Sequence, residues 1–448
     1  MAIQKAAQTS FGAFNELFQY TYADVIIKLL DSVDDVEKWI DSINLSDWKG
    51  GDSLYYLYKT QEGSGSRFVA GGPGAAAPVL PQYNSPAYQE ATVRLFPHVD
   101  IVEITGPKLV RAHDKPGMYR SIMNELVLDA KNSHRNRIGP KYWWGSQGAI
   151  GTVNANSGVI GIVTANVVAS VNCASQQRET FATGANKAYM TAYGGCRYLR
   201  PGQQLQIGTD VQLAANTGVS CVVATVNQAA QTFTTTAPVT LTAGDFIVEG
   251  DANGNEFGNC ITGLHDAIND TGTYHGINRA NDNVWQSFVT RNGNVLRDFN
   301  HFRITSLLMR MGDLGPKDVD EMDPVIFSHN SLLQVYLQEI DPVYMQTDLK
   351  ALKGHTTIAY QYGAKQIPWE TARSAPLNGY TIMDRSGMKR VRLGEYGWDS
   401  STGAIWKQIP GTFAFQAYAY NEFELVCENP RSQGREEDIR VPTGLIAT

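Results

Sequence analysis

The sequence predicts an α+β protein built from an N-terminal arm, an extended β-hairpin loop, one long amphipathic helix and an inserted β-rich domain, with mixed α/β patterning beyond it. Three observations predict this. Two strand-like runs flank roughly thirty residues rich in Gly, Ala and Pro. One stretch alone sustains clean helical spacing from a cap to a stop, and a long middle segment of small residues, Thr, Val, Asn and Gly breaks into short strand-like pieces.

In chain order, residues 11–40 place Phe14, Leu17, Phe18, Val25, Ile26, Leu29 and Leu30 near helical spacing, ended by the Gly50-Gly51 break. SLYYLYKT (Ser53–Thr60) and TVRLFPHVDIVEI (Thr92–Ile104) are strand-like in their aromatic and β-branched content. In the second run the alternation puts Val93, Leu95, Val99 and Ile101 on one face, with Arg94, His98 and Asp100 on the other. Between the runs lies AGGPGAAAPVLPQ (Ala70–Gln82). An isolated two-stranded hairpin is marginal in water, so this arm is expected to lie on a neighbouring molecule.

The long helix follows. Asp114 can cap it and Pro116 suits its first turn; Tyr119, Ile122, Met123, Leu126, Val127 and Ala130 form its apolar stripe. Lys131, His134, Arg135 and Arg137 suit its C-terminal end, and Gly139 its stop. From Gly145 to about Gly258 come VIGIVTANVVASV (Val159–Val171), GVSCVVATV (Gly218–Val226) and DFIVEG (Asp245–Gly250), separated by turn signals. After Gly258, ITSLLMRM (Ile304–Met311) reads as a helix with Ile304, Leu307, Leu308 and Met311 on one face. DPVIFS (Asp323–Ser328) reads as a buried strand, and HNSLLQVYLQEI (His329–Ile340) as a helix capped near Asn330. GYTIMD (Gly379–Asp384), TFAFQAYAY (Thr412–Tyr420) and FELVCE (Phe423–Glu428) read as closing strands.

Composition narrows the function classes. At 448 residues, 43% hydrophobic and 18% charged, the chain can bury two or three cores and is far from the disordered class. A formal charge of −7 argues against neutralising nucleic acid by bulk positive charge, so any such contact would be local. Cys173, Cys196, Cys221, Cys260 and Cys427 show no paired or metal-ligand spacing and read as small buried apolar side chains in a reducing cytoplasm. No apolar run approaches the roughly 20 residues that span a bilayer, and the N-terminus lacks a secretory layout.

Catalytic and binding signatures yield near misses. GxGxxG, GxxxxGK[ST], HExxH and GxSxG patterns do not occur. The glycines of AGGPGAAAP precede no helix that could hold a phosphate. DANGNE (Asp251–Glu256) begins like a calcium loop, but Glu256 stands where Gly is required and Thr262 where Glu is, so an Asn/Gly turn is expected. His265-Asp266 with His275 could suggest an HD-type metal hydrolase, but that chemistry needs further converging His and Asp ligands and the chain has 8 His in all. Lys131, Arg135, Arg137 and Lys141, followed by Tyr142-Trp143-Trp144, could touch phosphates and stack bases. The favoured reading is a helix end with a buried aromatic anchor. No catalytic, cofactor-binding or metal-ligating residue is assigned, no cofactor is expected, and the chain reads as a non-enzyme.

In that order of elements the sequence resembles the Hong-Kong-97-like major capsid proteins of tailed double-stranded-DNA bacteriophages. AYQEATVRLFPHVDIVEITGPKLVRAHDKPGMYRSIMNELVLDA (Ala87–Ala130) is similar to the family's extended-loop return strand running into its spine helix. YWWGSQGAIGTV (Tyr142–Val153) sits where such proteins enter an inserted β-region, and GNCITGLHDAINDTGTYHGINRANDNVWQS (Gly258–Ser287) is similar to the re-entry segment. RLGEYGWDSSTGAIWKQIPGTFAFQAYAYNEFELVCENPRSQGREEDI (Arg392–Ile439) resembles the closing strands.

The resemblance implies a division into an N-terminal arm (1–50), extended loop hairpin (51–112), spine helix of a peripheral domain (113–146) and inserted β-rich domain (147–257). Peripheral re-entry (258–283), an axial domain (284–405) and closing peripheral strands (406–448) complete it. It further implies a virion capsid subunit, assembled in the host cytoplasm, that forms hexamers and pentamers of an icosahedral head around double-stranded DNA, bound without sequence specificity. Its expected partners are copies of itself, a scaffolding protein, a portal and a decoration protein, with no membrane. Some relatives cross-link an extended-loop Lys to a neighbour's Asn. Lys59 and Lys108 are the hairpin lysines here, and nothing marks a partner for either. The alternatives are a cellular nanocompartment shell of the same fold and a β-rich tail-fibre or adhesin protein.

Overall fold

The computed structural model describes residues 36–44, 54–61, 84–105, 125, 128, 132–134, 136–143, 145, 149–153, 168–173, 198–227, 232–239, 241–242, 245–293, 295–344, 358–399 and 405–440. The apolar positions Phe14–Leu30, the loop Ala70–Gln82, the Asp114 cap and the stripe Tyr119–Ala130 lie outside these residues, as do Lys108, Lys131, Arg135 and Trp144.

Strands are numbered β1–β22 along the chain. The first sheet contains β1 (Asp41–Asn44), β19 (Met388–Trp398), β21 (Ala414–Cys427) and β20 (Trp406–Gln408), with β4 (Phe96–Thr105) on the far edge of β21. Its backbone is β21, which pairs with β4 from Ala414 to Phe423 and with β19 from Ala419 to Cys427. The closing segments Thr412–Tyr420 and Phe423–Glu428 are therefore one strand of 14 residues, not two. Asn421, the polar residue that suggests a break, is only 3% exposed and keeps ladder register opposite His98.

The helical pattern of residues 11–40 does not carry through its last residues. Glu37–Trp39 is a single 3-10 turn, after which the chain becomes β1 and runs parallel to β19. Val36 and Ile40 are buried in the main core with Tyr142, Trp143 and Phe423. Burying those two side chains is worth about 1.5–3 kcal/mol each, enough to bring an otherwise polar segment into the sheet.

The run Thr92–Ile104 also divides differently. It is two strands, β3 (Ala87–Val93) and β4, broken at Arg94-Leu95. The break shifts the phase of the alternation. Val99 and Ile101, expected inward, are 44% and 60% exposed, while Asp100, Val102 and Ile104 are buried. β3 pairs antiparallel with β2 (Leu54–Gln61) in a two-stranded sheet, Leu54 opposite Val93 at one end and Gln61 opposite Ala87 at the other.

Residues 132–134 and 136–143 are helical, so the helix continues through Gly139, where a stop is expected, and on through Pro140. The physical reason lies beyond the glycine: Ile138, Tyr142 and Trp143 all bury in the main core and hold that last turn. Immediately after it, Gly145 approaches the backbone of Ile261 and Gly263. A Cβ on Gly263 would sit 2.5 Å from the Trp143 carbonyl oxygen, so the exit from the helix and the return to it touch through two glycines.

Between that exit and return lies the β-rich insertion: β5 (Ala149–Val153), β6 (Val168–Cys173), β7 (Gln204–Gly208), β8 (Val219–Asn227), β9 (Thr232–Thr235), β10 (Phe246–Asp251) and β11 (Gly254–Asn255). The ladder runs β10-β5-β6-β9-β8-β7 and then back to β10, through Phe246–Gly208, Ile247–Ile207, Val248–Gln206 and Glu249–Leu205. The sheet thus closes on itself as a barrel around Val153, Leu205, Ile207, Val223, Phe233 and Ile247. Closure leaves those six strands without a free edge. A short helix, α1 (Asp210–Ala214), is capped by a reciprocal Thr209–Gln212 capping box.

The third sheet is mixed: β14 (Phe288–Thr290), β22 (Gly434–Glu436), β18 (Tyr380–Asp384), β15 (Pro324–Ser328), β17 (Lys365–Thr371) and β16 (Ile358–Tyr362), hydrogen-bonded in that order. Every residue of β15 is buried, as the apolar run predicts. Two helices pack here, α3 (His301–Leu314) and α4 (Asn330–Tyr344), following the one-turn α2 (Leu264–Ala267). Ile304, Leu307, Leu308 and Met311 are buried as the spacing predicts. α4 is capped near Asn330, as expected: the His329 ring nitrogen Nδ1 accepts the Ser331 N–H at 3.2 Å. A small hairpin of β12 (Thr273–Tyr274) and β13 (Ile277–Asn278) completes the fold.

The acidic and basic run Arg435-Glu436-Glu437-Asp438 is almost fully buried, each residue 1% exposed. Each charge has a partner. Arg435 Nη2 meets Glu437 Oε1 at 2.6 Å, Arg291 Nε meets Glu437 Oε2 at 3.0 Å, Arg297 Nη2 meets Glu436 Oε1 at 2.8 Å, and Asp438 Oδ2 accepts the Asn292 N–H at 2.7 Å. This network joins the end of the chain to β14 and the chain leading into α3. Removing one partner of such a pair costs about 3–5 kcal/mol because a buried charge is left alone.

Candidate functional site

Two features stand out as sites: a surface left bare by the fold and a polar cluster buried beneath it.

The bare surface starts with the hairpin. Its root is anchored, since Ala91 and Val93 are 1% and 0% exposed and the Thr92 N–H donates to the His275 carbonyl at 2.9 Å. Beyond the root the covering stops. Tyr88, Gln89 and Glu90 are exposed, Tyr88 by 60%, and Tyr55 on β2 is 62% exposed. Among the described strands, β2 and β3 pair only with each other. Among the described residues, then, neither outer edge of the pair is continued by another strand, the condition in which a strand pair recruits another surface. The outward shift of Val99 and Ile101 adds a second bare area. They stand beside Tyr420 and Tyr418 across the β4–β21 ladder, and Tyr420 is 46% exposed.

The buried cluster lies on the inner face of that ladder. Asp100 Oδ2 is 2.6 Å from His134 Nδ1 and 3.2 Å from His98 Nε2. Burial alone would raise the Asp100 carboxyl, but the hydrogen bond from His134 and the electrostatic pull of His98 outweigh it and hold the group well below the usual carboxylate range. Burial lowers His98 against the pull of Asp100, favouring its neutral imidazole. A few ångströms away Glu37 forms a buried pair with Arg390 and accepts from Tyr142 Oη at 3.1 Å. Among the described residues, His98, Asp100 and His134 are the one group of three side chains whose donor atoms could hold a metal ion.

The residues singled out by sequence fall elsewhere. His265 is buried in α2, Asp266 follows it with its backbone carbonyl accepting from Arg279 at 2.6 Å, and His275 turns away to the Leu425 carbonyl at 3.1 Å. Burial pushes His275 down to about 4. These three do not converge, so they offer no HD-type centre. Asp251 Oδ1 accepts the N–H groups of Asn253 and Gly254 at 2.7 and 3.2 Å, the Asx turn that closes the β10–β11 hairpin, as expected for DANGNE.

Of the basic cluster, Arg137 pairs with Glu249 at 2.8 Å and Lys141 with Glu256 at 2.5 Å. Those charges bolt the helix to the barrel and are matched within the molecule. Tyr142 and Trp143 are buried, as the aromatic-anchor reading requires. Cys221, Cys260 and Cys427 are buried free thiols, pushed up by burial to about 11, 12 and 12, and so inert. Sequence reasoning passed over the His98–Asp100–His134 group. The spacing His98-x-Asp100 does place both side chains on one face of a strand, opposite Val99 and Ile101, but nothing in the spacing says that this face meets His134.

No family model matches the sequence, and no curated protein matches it. The structure matches solved phage capsid chains over nearly their full length. The capsid of cyanophage A-1(L) is 12% identical, with 92% of this chain and 93% of that chain covered at a TM-score of 0.44. The capsid of a native GTA particle is 9% identical, with 91% of each covered at 0.44. The satellite phage P4 procapsid with its size-determination protein is 9% identical, with 97% and 98% covered at 0.40. At such scores the likeness is one of general layout and says nothing of what this chain binds or builds.

Proposed function

We propose that this chain is a structural subunit of an icosahedral phage head, self-assembling into hexamers and pentamers through its hairpin and catalysing nothing. The observation that carries this reading is the hairpin itself, rooted at Ala91 and Val93 but bare at Tyr55 and Tyr88. A two-stranded sheet of that kind gains stability only against another surface. Each copy also has a bare apolar strip at Val99, Ile101 and Tyr420. One projecting arm and one uncovered face per copy are complementary head-to-tail elements, and head-to-tail contacts close into rings when the rotation allows. The division into peripheral domain, axial domain (284–405) and inserted domain, inferred from the sequence, supports the same reading.

Interfaces above about 1,000 Å² each would supply the stability of such a shell. Double-stranded DNA inside it would contribute little binding energy, since the chain carries a net charge of −7 and its described basic side chains at the helix end are paired internally. A scaffolding protein, a portal and a decoration protein are the partners such a shell requires, and the virion capsid is its place.

The test is deletion of Gly63–Pro81 followed by negative-stain electron microscopy, with and without the neighbouring scaffold gene product. The expected outcome is a soluble folded subunit that forms no stable shells. Shells of normal stability from the deleted chain would defeat the proposal, and closed particles that hold a cargo protein and no DNA would redirect it to a nanocompartment.

A further inference from the structure

We propose that His98, Asp100 and His134 bind one divalent transition-metal ion of the zinc type, which pins the helix of residues 132–143 to strand β4. The donor atoms all lie within 4.8 Å of one another. Two imidazole nitrogens and one carboxylate oxygen are a donor set suited to zinc or cobalt, leaving a fourth position for water. With bonds of about 2.0–2.1 Å, tetrahedral ligand atoms stand roughly 3.3 Å apart. His98 Nε2 is already 3.2 Å from Asp100 Oδ2, and the 2.6 Å His134–Asp100 contact needs to open by about 0.7 Å to reach the tetrahedral separation.

A second, independent observation points to an occupant. Three buried polar atoms around this spot lack a hydrogen bond: His98 Nε2, Glu37 Oε2 and Asn421 Oδ1. His98 Nε2 is close to Asp100 but off the line that a hydrogen bond requires. His98, Glu37, Asn421 and His134 line one cavity of about 10 Å³, the space of a single water-sized group. Asn421 stands directly opposite His98 in the β4–β21 register, which aims its amide at the same point. An ion held by the three ligands, with its bound water donating to both Asn421 Oδ1 and Glu37 Oε2, would satisfy all three orphaned atoms. The nearest opposing charges are neutralised: Lys141 by Glu256 at 2.5 Å and Arg390 by Glu37.

The proposal goes beyond shell assembly and holds whether or not shells form. Full-length chain, stripped with EDTA, is titrated with Co²⁺ and Zn²⁺. The expected result is one equivalent of saturable Co²⁺ with tetrahedral d–d absorption, displaced by Zn²⁺, and X-ray absorption showing two imidazole ligands. His98→Gln should weaken Co²⁺ binding by more than the ~10–100-fold that loss of a mere outer-shell partner causes. Absence of one-equivalent saturable binding, a metal spectrum without imidazole, or equal affinity in folded His98→Gln would overturn it. The absorption spectrum of the unaltered chain decides the matter even if the variant fails to fold.

Discussion

The inserted barrel and the β2–β3 hairpin are both antiparallel β-structure, and they treat their edges in opposite ways. In the barrel, β10 bonds to β5 on one side and β7 on the other, so the ladder returns to its start. Its apolar residues, Leu205, Ile207, Phe233 and Ile247, face one shared interior and are at most 1% exposed. Among its described residues the hairpin has a buried root at Ala91 and Val93. Of its described side chains beyond the root, Tyr55, Tyr88, Gln89 and Glu90 are exposed, and among the described strands β2 and β3 pair only with each other. The difference teaches where self-sufficiency ends: the barrel completes its hydrogen bonding and burial within its own strands, whereas the hairpin does not do so among the described residues.

The sharpest way to break this contrast is to separate the pieces. Residues 147–257 expressed alone should melt cooperatively by circular dichroism, while a peptide of residues 52–95 should show no sheet signal. A hairpin peptide that folds alone in water would remove the argument that it needs a neighbour.

A smaller effect concerns the barrel's attachment. Glu424, wholly buried on β21, accepts the Thr262 N–H at 2.8 Å just where the chain returns from the barrel. Burial pushes its carboxyl up to about 8, against the hydrogen bonds that favour the charged form. The folded protein therefore holds a proton that the unfolded chain releases above its ordinary value of 4.5, so stability falls as pH rises from about 4.5 to about 8 and is then level. Glu424→Gln should abolish this slope and stabilise the chain on the order of a few kcal/mol at pH 8.5, with little effect at pH 4.5. Urea melts at the two pH values measure it; a pH-independent gain would show that ionisation of Glu424 is not involved.

The smallest effect separates the hairpin's root from its reach. Val93→Ala should destabilise the subunit by roughly 2 kcal/mol through lost burial and a cavity. Tyr88→Ser should change subunit stability by less than about 0.5 kcal/mol, yet reduce the yield of shells. Equal destabilisation by both would mean that Tyr88 is already covered within its own chain.

Much of this was legible beforehand because local signals agreed with burial. The four apolar residues Ile304, Leu307, Leu308 and Met311 form the inner stripe of α3 as spaced, and β15 is as buried as its composition suggests. The misreadings share one cause, a local pattern overridden by a distant contact. Gly139 looks like a helix stop, but burial of Tyr142 and Trp143 carries the helix past it.

By itself the sequence determined the succession of elements, the existence of a long-looped hairpin and a β-rich insertion, and the lack of familiar catalytic spacing, because these depend on residues close together in the chain. Only the tertiary structure decided that the insertion closes into a barrel, that Arg435–Asp438 are buried, and that His98 and Asp100 turn inward to meet His134. The physical reason is that strand phase is relative. A step at Arg94-Leu95 reverses which face of β4 meets the core, and nothing within the strand records the choice until β21 and the helix pack against it.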